Sequence, residues 1–225
     1  MSGELLPAGW RVPIGVVVTL SGAAVLALSW RYAGADTAGR FDSAVIEPLV
    51  VHGWQRHLTW LVADLGSPPA LLLGMVALVV AARRTGRRAA LWLAVAGPLL
   101  AVALTEFVLK PLVGRTYDGG LSLPSGRATC ITSIAWVLVL AFVAVGLPAA
   151  GWLRAALVAL AVGVVAAVSL AVVALRVHYP TDALAGMLVA TAVVGAVALL
   201  LDRSARFRVS GARRTGRALG ERVPR

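Results

Sequence analysis

The sequence has little of what a soluble protein carries on its surface. Only 14% of its 225 residues are charged, and Lys110 is the single lysine. The mean hydropathy is +0.88, and a chain that is 60% hydrophobic cannot hide so much apolar surface inside one soluble globule. The composition therefore excludes a soluble fold and predicts an integral membrane protein.

Cysteine and histidine are also scarce. The one cysteine, Cys130, has no second thiol in the sequence, which excludes an internal disulfide. The histidines are His52, His57 and His178, and the sequence shows neither paired histidines nor a carboxylate cluster with metal-ligand spacing. We therefore expect chemistry that needs no metal and no cofactor.

Long apolar stretches are abundant. A membrane-spanning helix needs about 20 mostly apolar residues, and Pro68 and Pro69 interrupt the second of the stretches that approach this length. The six stretches are residues 13–28, 58–82, 89–109, 129–146, 153–175 and 183–201. They predict an all-α, polytopic membrane protein with six transmembrane helices. A cleaved signal peptide is the alternative interpretation of the first stretch, which we expect to remain as a helix.

Most of the positive charge lies in alternate links between these stretches. The net charge is +11, and cytoplasmic loops are the ones enriched in arginine and lysine. The clustered arginines are Arg83, Arg84, Arg87, Arg88 and Arg154 in the links, and Arg203, Arg206, Arg208, Arg213, Arg214, Arg217, Arg222 and Arg225 in the tail. We therefore expect both termini in the cytoplasm and the protein in the plasma membrane. The tail is interpreted as a segment on anionic lipid headgroups or a disordered one, and RNA binding is the less favoured alternative.

The same topology places several cations outside, where cations are disfavoured. They are Lys110, Arg115, Arg127 and Arg176, together with His178. Solvated loop charges are one explanation. An anionic substrate at the external face explains the whole group more simply.

Two short polar segments contain most of these residues: KPLVGRTYDGGLSLPSGR, which begins at Lys110, and LRVHYPTD. Glu106 precedes Lys110 by one helical turn, a spacing that predicts an ion pair. Ser125 and Gly126 stand before a predicted helix, either as a simple N-cap or as a loop whose N–H groups hold a phosphate.

His178 and Asp182 are separated by one helical turn at the start of the sixth stretch. Asp182 at this spacing can hold the imidazole in one tautomer and make its other nitrogen a better nucleophile. A helix cap formed by Thr181 or Asp182 is the alternative interpretation.

In this order, the two segments resemble the type 2 phosphatidic acid phosphatase (PAP2) superfamily of membrane lipid phosphatases, over about residues 58–200. The resemblance implies a PAP2-like helical bundle in which His178 attacks phosphorus and forms a phosphohistidine, while Asp182 orients it. It also implies that Lys110, Ser125 and Gly126 bind the phosphate. Three segments follow: a first helix with an external interfacial segment (1–57), a catalytic core (58–201) and a basic cytoplasmic tail (202–225).

Three positions depart from the family pattern. The arginine of the first motif is replaced by Tyr117, with Arg115 as the nearest substitute. The arginine expected before the nucleophile is Val172, with Arg176 as the nearest cation. Arg127 stands where the resemblance places a general-acid histidine.

The third departure leads to a hypothesis about the substrate. Arginine stays protonated at ordinary pH, so Arg127 can hold a phosphate but cannot deliver a proton. We therefore expect a lipid diphosphate, such as polyprenyl diphosphate, to be preferred over phosphatidic acid, because its leaving group is already a stable anion. His52 or His57, in a segment (41–60) expected to form an interfacial helix, is an alternative proton donor.

Two functions are alternatives to a lipid phosphatase. The first is a weak or inactive relative that binds a lipid phosphate or serves as a partner subunit. The second, a transporter or channel, is disfavoured because the ionisable residues cluster at one membrane face.

Overall fold

The computed structural model describes residues 5–49 and 51–220, except for the side chains of residue 8 and residues 206–220. Within these residues, the chain is helical except for short links and one small hairpin, which confirms the predicted all-α class. The helices are α1 (Arg11–Arg31), α2 (Arg40–Ile46), α3 (Gly53–Asp64), α4 (Pro68–Arg84), α5 (Arg88–Ala103), α6 (Lys110–Val113), α7 (Gly126–Ala141), α8 (Gly151–Ala174) and α9 (Pro180–Gly220). The hairpin pairs β1 (Thr116–Tyr117) with β2 (Gly120–Leu121) in antiparallel register.

The predicted membrane spans are present, one of them in a bent form. Five helical segments are long and apolar enough to cross a membrane alone: Arg11–Arg31, Arg88–Val113, Gly126–Val145, Gly151–Ala174 and Pro180–Ala205. Helices α3 and α4 form a sixth candidate, bent by 43° at a short break. The break precedes Pro68 and Pro69, because proline lacks an N–H and fits only the first turn of a new helix.

Two boundaries expected from the sequence differ in the structure. The prediction of a single interfacial helix over residues 41–60 is wrong, because α2 ends at Ile46 and α3 begins at Gly53. The expected division between residues 57 and 58 therefore falls inside α3. At the other end, α9 continues past the expected division at residue 201 to Gly220, and residues 221–225 lie outside the described part of the chain.

Helix α9 lies at the centre of the bundle, in contact with α1, α5 and α7. Small residues allow these helices to approach closely, as is common in membranes. A Cβ atom at Gly195 would lie 2.6 Å from Val18 of α1. Leu93, Val137 and Val194, all fully buried, form part of the largest apolar cluster where α5, α7 and α9 meet.

The two ends of the bundle differ in their polar contacts. At one end, Asp202 of α9 accepts a hydrogen bond from Arg11 Nε at 2.8 Å, so the start of α1 is held beside the far part of α9. At the opposite end, α6 ends, α7 begins, α8 ends and α9 begins. We call this the site end, because the two polar segments of the sequence meet there.

Candidate active site

The first polar segment follows a local change in helix geometry. Helix α5 widens into a π-helical stretch over Leu104–Leu109 before α6. Such stretches re-aim side chains and are frequent at functional sites. Here the stretch carries Glu106, whose two carboxylate oxygens accept hydrogen bonds from Lys110 Nζ at 2.9 and 2.8 Å. The ion pair predicted from the spacing is present.

The loop formed by Pro124, Ser125 and Gly126, called the PSG loop below, contains Ser125, the N-cap of α7. Ser125 Oγ accepts the Ala128 N–H at 3.5 Å, and the Ser125 carbonyl accepts the Thr129 N–H at 3.0 Å. The N–H groups of Gly126 and Arg127 are therefore the ones left at this helix end to face an anion. The Ser125 N–H donates to the Asp182 carbonyl at 2.9 Å, which joins the loop to the start of α9.

Gly126 lies directly against the Glu106 carboxylate. A Cβ atom at position 126 would collide with Glu106 Oε1 and would lie 3.7 Å from Lys110 Nζ. A larger residue here would therefore have to displace the Glu106 carboxylate, and the Glu106–Lys110 pair sits at the mouth of the PSG loop.

His178 and Asp182 lie side by side in the second polar segment. His178 is 8% exposed, and its Nδ1 is 3.7 Å from Asp182 Oδ2, which is too long for a hydrogen bond. Asp182 itself is held from two sides: Oδ2 accepts the Tyr179 N–H at 2.9 Å, and Oδ1 accepts Arg115 Nη1 at 2.7 Å. A small rotation of the imidazole would therefore bring Nδ1 onto a carboxylate whose position is fixed.

Arg115 is fully buried and forms a clamp between distant parts of the chain. Its Nη2 donates to Asp42 at 2.7 Å and its Nη1 to Thr181 at 2.6 Å. The guanidinium also lies 4.0 and 4.1 Å from the ring centroids of Tyr32 and Tyr179. Its side chain has no exposed surface, so the structure places Arg115 behind Asp182 rather than at an open phosphate site.

Packed side chains occupy the two positions where the family pattern has arginine. Tyr117 contacts Tyr179 edge to face, with the ring centroids 4.5 Å apart, and Val172 is fully buried in an apolar cluster. Burial raises the pKa of Tyr179, although the Arg115 charge acts in the opposite direction. The phenol therefore stays neutral, and its hydroxyl donates to the Asp36 carbonyl at 3.2 Å.

Arg127 and Arg176 flank the site. Arg127 Nη2 is 3.5 Å from Asp64 Oδ1, and its guanidinium lies 5.4 Å from the Trp60 ring, so the side chain is turned towards α3. Arg176 is exposed and donates to the Ile46 carbonyl at 3.3 Å.

The structure thus joins one subset of the predicted residues in a continuous series of contacts: Lys110, Glu106, Gly126, Ser125, Asp182 and His178. His52 and His57 are exposed at the start of α3 and outside this series. Asp42, which sequence reasoning did not single out, contributes to it through Arg115. Among the described residues, no three His, Cys, Asp or Glu side chains are grouped so as to hold a metal ion.

Two comparisons with known proteins gave a match. Residues 106–206, which include both polar segments, match the family model of the PAP2 superfamily. The fold is similar to that of a transmembrane PAP2 type phosphatidylglycerolphosphate phosphatase from Bacillus subtilis, with a TM-score of 0.61 and 19% sequence identity. The similarity covers 85% of this chain and 96% of that chain, and it confirms the expected PAP2-like bundle. Comparison with the curated proteins gave no match.

Proposed function

We propose that this protein is a membrane lipid phosphatase that works through a phosphohistidine at His178. The observation that carries the proposal is the continuous series of contacts from Lys110 through the PSG loop to Asp182 and His178. Purified protein should release phosphate from lipid phosphates in detergent or vesicles, and the His178→Ala variant should not.

The chemistry follows from the orientation of the imidazole. Nδ1 of His178 faces Asp182, so Nε2 is the nitrogen available to attack phosphorus. The Nε2–P bond forms as the bond between phosphorus and the leaving oxygen breaks. From a monoester the lipid leaves as an alcohol after taking a proton from water, and from a diphosphate the lipid leaves as a monophosphate anion. Water then attacks the phosphohistidine, which releases inorganic phosphate and restores the imidazole. Asp182 holds the ring and stabilises its positive charge.

Phosphate binding involves the groups around the PSG loop. The N–H groups of Gly126 and Arg127 lie at the positive end of α7, where anions are stabilised. Lys110 supplies the nearest full positive charge, and Arg176 approaches from the flank. Ser125 is fully buried and serves as the cap of α7. Arg115 positions Asp182 in this proposal, so the expectation that it contacts phosphate is not retained.

Glu106 competes with phosphate for Lys110 at this site. The Glu106→Gln variant should therefore bind a lipid phosphate more tightly, with KM lowered about three- to tenfold, because removing a like charge and freeing a cation are together worth about 1 kcal/mol. KM for phosphate release measures this. Asp118→Asn is the matched control, since Asp118 is exposed in the hairpin at the same end and loses the same charge. A raised KM in Glu106→Gln alone would show instead that Glu106 positions Lys110 for binding.

We also propose that the site faces outwards from the plasma membrane, with both termini in the cytoplasm. The distribution of arginine supports this orientation. Arg83, Arg84, Arg87 and Arg88 lie where α4 ends and α5 begins, at the end of the bundle opposite the site, and such clusters favour the cytoplasmic side.

The leaving group determines which phosphate is preferred. Because Arg127 cannot act as a proton donor, we propose that a lipid diphosphate such as polyprenyl diphosphate reacts faster than a monoester such as phosphatidic acid. The contact of Arg127 with Asp64 is partly exposed and of a kind that is worth little, so the guanidinium is free to turn towards a departing phosphate.

Replacing Arg127 by histidine tests this leaving-group argument. A general acid contributes about 10²–10⁴ in rate, so Arg127→His should raise kcat for phosphatidic acid at least about tenfold and leave kcat for a diphosphate nearly unchanged. Arg127→Lys, which keeps the charge but is a far weaker acid than a protonated histidine, is the control. An equal rise on both substrates, or none on the monoester, would contradict the argument.

A catalytically weak or inactive relative is the second candidate function. Arg127, Tyr117 and Val172 favour it, since each replaces a group that the family pattern would use. Such a protein would bind a lipid phosphate at Lys110 and the PSG loop without releasing phosphate from any lipid monophosphate or diphosphate.

A further inference from the structure

We propose that Asp42 is a positioning residue for the reaction: it balances the charge of Arg115, so that Asp182 keeps its negative charge for the nucleophile. The inference rests on the proposed function, because it explains how that site stabilises the cationic ring of a phosphohistidine. Arg115 donates to Asp182 Oδ1 at 2.7 Å. Taken alone, this contact would pair the carboxylate with a cation and leave His178 beside a neutral ion pair.

The buried ionic groups at the site end carry a net negative charge. Of the described acidic residues, Asp42, Asp182 and Asp202 are buried, and Asp202 lies at the other end of the bundle. Arg115 is the buried cation among the described residues. All four carboxylate oxygens at the site end accept an N–H hydrogen bond at 2.7–3.0 Å, as ionised carboxylates do. Two carboxylates and one guanidinium leave a net charge of −1, which a cation on His178 would neutralise.

The flanking charges act more weakly on the nucleophile. Arg176 is exposed, so water and salt screen its charge. Lys110 is paired with Glu106 at 2.8 Å, and the two charges largely cancel at a distance. The side chains of Asp42 and Arg115 have no exposed surface, and charges in such a setting interact more strongly than charges in water. The charge of Asp42 is therefore the one that decides whether Arg115 is neutralised.

The local structure fixes Asp42 against Arg115. The Gly39 N–H donates to Asp42 Oδ2 at 3.2 Å, as in a capping box at the start of α2. A Cβ atom at Gly39 would lie 2.7 Å from Tyr32 Oη, and the Tyr32 ring in turn stacks on the Arg115 guanidinium. The start of α2 is thus packed around the same guanidinium that Asp42 neutralises.

Asp42 also holds the first turn of α9. Its Oδ1 accepts the Thr181 N–H at 3.0 Å and the Thr181 hydroxyl at 2.8 Å, and a carboxylate is stabilising at a helix N-terminus. The same hydroxyl accepts Arg115 Nη1 at 2.6 Å. This contact gives Asp42 a structural role in addition to the electrostatic one, and different variants separate the two.

Asp42→Asn tests the electrostatic role, because it removes the charge and keeps the shape of the side chain. kcat for phosphate release from a lipid phosphate should fall about ten- to a hundredfold, the size of one charge interaction across a buried site, while KM should change less than about threefold. Asp36→Asn is the matched control, since it removes the same charge from an exposed side chain in the link between α1 and α2. Unchanged kcat in folded Asp42→Asn protein would overturn the inference.

Thr181→Val isolates the structural role. Valine has the shape of threonine, so this variant loses the hydroxyl contacts with Asp42 and Arg115 but keeps every charge. It should lower the midpoint of thermal unfolding and keep kcat within about threefold of wild type. Equal losses of kcat in Thr181→Val and Asp42→Asn would show a structural role only and would overturn the inference.

Vanadate provides a readout that needs no lipid turnover. Orthovanadate bonded to a nucleophilic imidazole mimics the transferring phosphoryl group and leaves the ring cationic, whereas bound inorganic phosphate does not. Asp42→Asn should therefore weaken vanadate binding at least about tenfold and phosphate binding less than about threefold, as measured by calorimetry in detergent. His178→Ala, which cannot form the vanadate bond, is the reference. Equal changes for the two anions in Asp42→Asn would overturn the inference.

The two assays separate this inference from the proposed function. If no lipid releases phosphate while vanadate binding still depends on both His178 and Asp42, the proposed function fails and the charge balance stands. If lipid turnover is normal and neither kcat nor vanadate binding depends on Asp42, the charge balance alone fails.

Discussion

His178→Ala should lower phosphate release by at least about 10³-fold, the scale seen when a nucleophile is removed from an enzyme. The loss follows because no other described imidazole lies in the series of contacts around the PSG loop. Initial rates of phosphate release by purified protein measure it. His52→Ala and His57→Ala are matched controls, since both side chains are exposed at the start of α3, and each should keep near wild-type activity.

His178 is a better test of the nucleophile than Asp182. Its Nδ1 has no hydrogen-bond partner among the described residues, so alanine at 178 leaves no neighbour unpaired and the fold should persist. Removing the Asp182 carboxylate would also leave Arg115 without one of its hydrogen-bond partners. The measured loss of activity would then combine a less stable fold with the loss of Asp182 beside the nucleophile. Turnover that survives in well-folded His178→Ala would refute the nucleophile assignment. A marked loss in His57→Ala would indicate that this histidine is the proton donor.

Arg115→Ala should destabilise the protein by about 3–5 kcal/mol, because removing one partner of a buried ion pair leaves an uncompensated charge behind. Here two carboxylates, Asp42 and Asp182, would lose their cation, and both are fully buried. Unfolding in detergent, followed by circular dichroism, measures the loss. Activity should fall in parallel, since Asp182 would no longer be held beside His178.

Two variants make the Arg115 prediction specific. Arg115→Lys should recover little, since a lysine cannot bond to Asp42 and Asp182 together and stack between Tyr32 and Tyr179 as a planar guanidinium does. Arg176→Ala, which removes an exposed arginine at the same end, should unfold like wild type. A stable and inactive Arg115→Ala protein would instead assign Arg115 directly to phosphate binding.

Features set by neighbours in the sequence could be predicted. The spans follow from apolar runs of sufficient length, and the bend in the second span follows from Pro68 and Pro69. The Glu106–Lys110 pair follows from its one-turn spacing. In each case the property is local, so the sequence alone contains its cause.

Features set by tertiary packing could not be predicted. Arg115 was expected at the phosphate because of its place in the motif, and its complete burial depends on Asp42 and Tyr32, which lie far earlier in the chain. In the sequence, Asp42 is one of several polar residues in segment 41–60, and nothing there marks it as a partner of Arg115.

The most direct test of the phosphohistidine is to trap it. Wild-type protein should be quenched in alkali, where phosphohistidine is stable, during turnover of a lipid carrying a radiolabelled terminal phosphate, and then digested. The account predicts acid-labile label on the peptide that contains His178, and none on the same peptide of the His178→Ala variant. Label on any other peptide, or full turnover with no labelled protein, would contradict it.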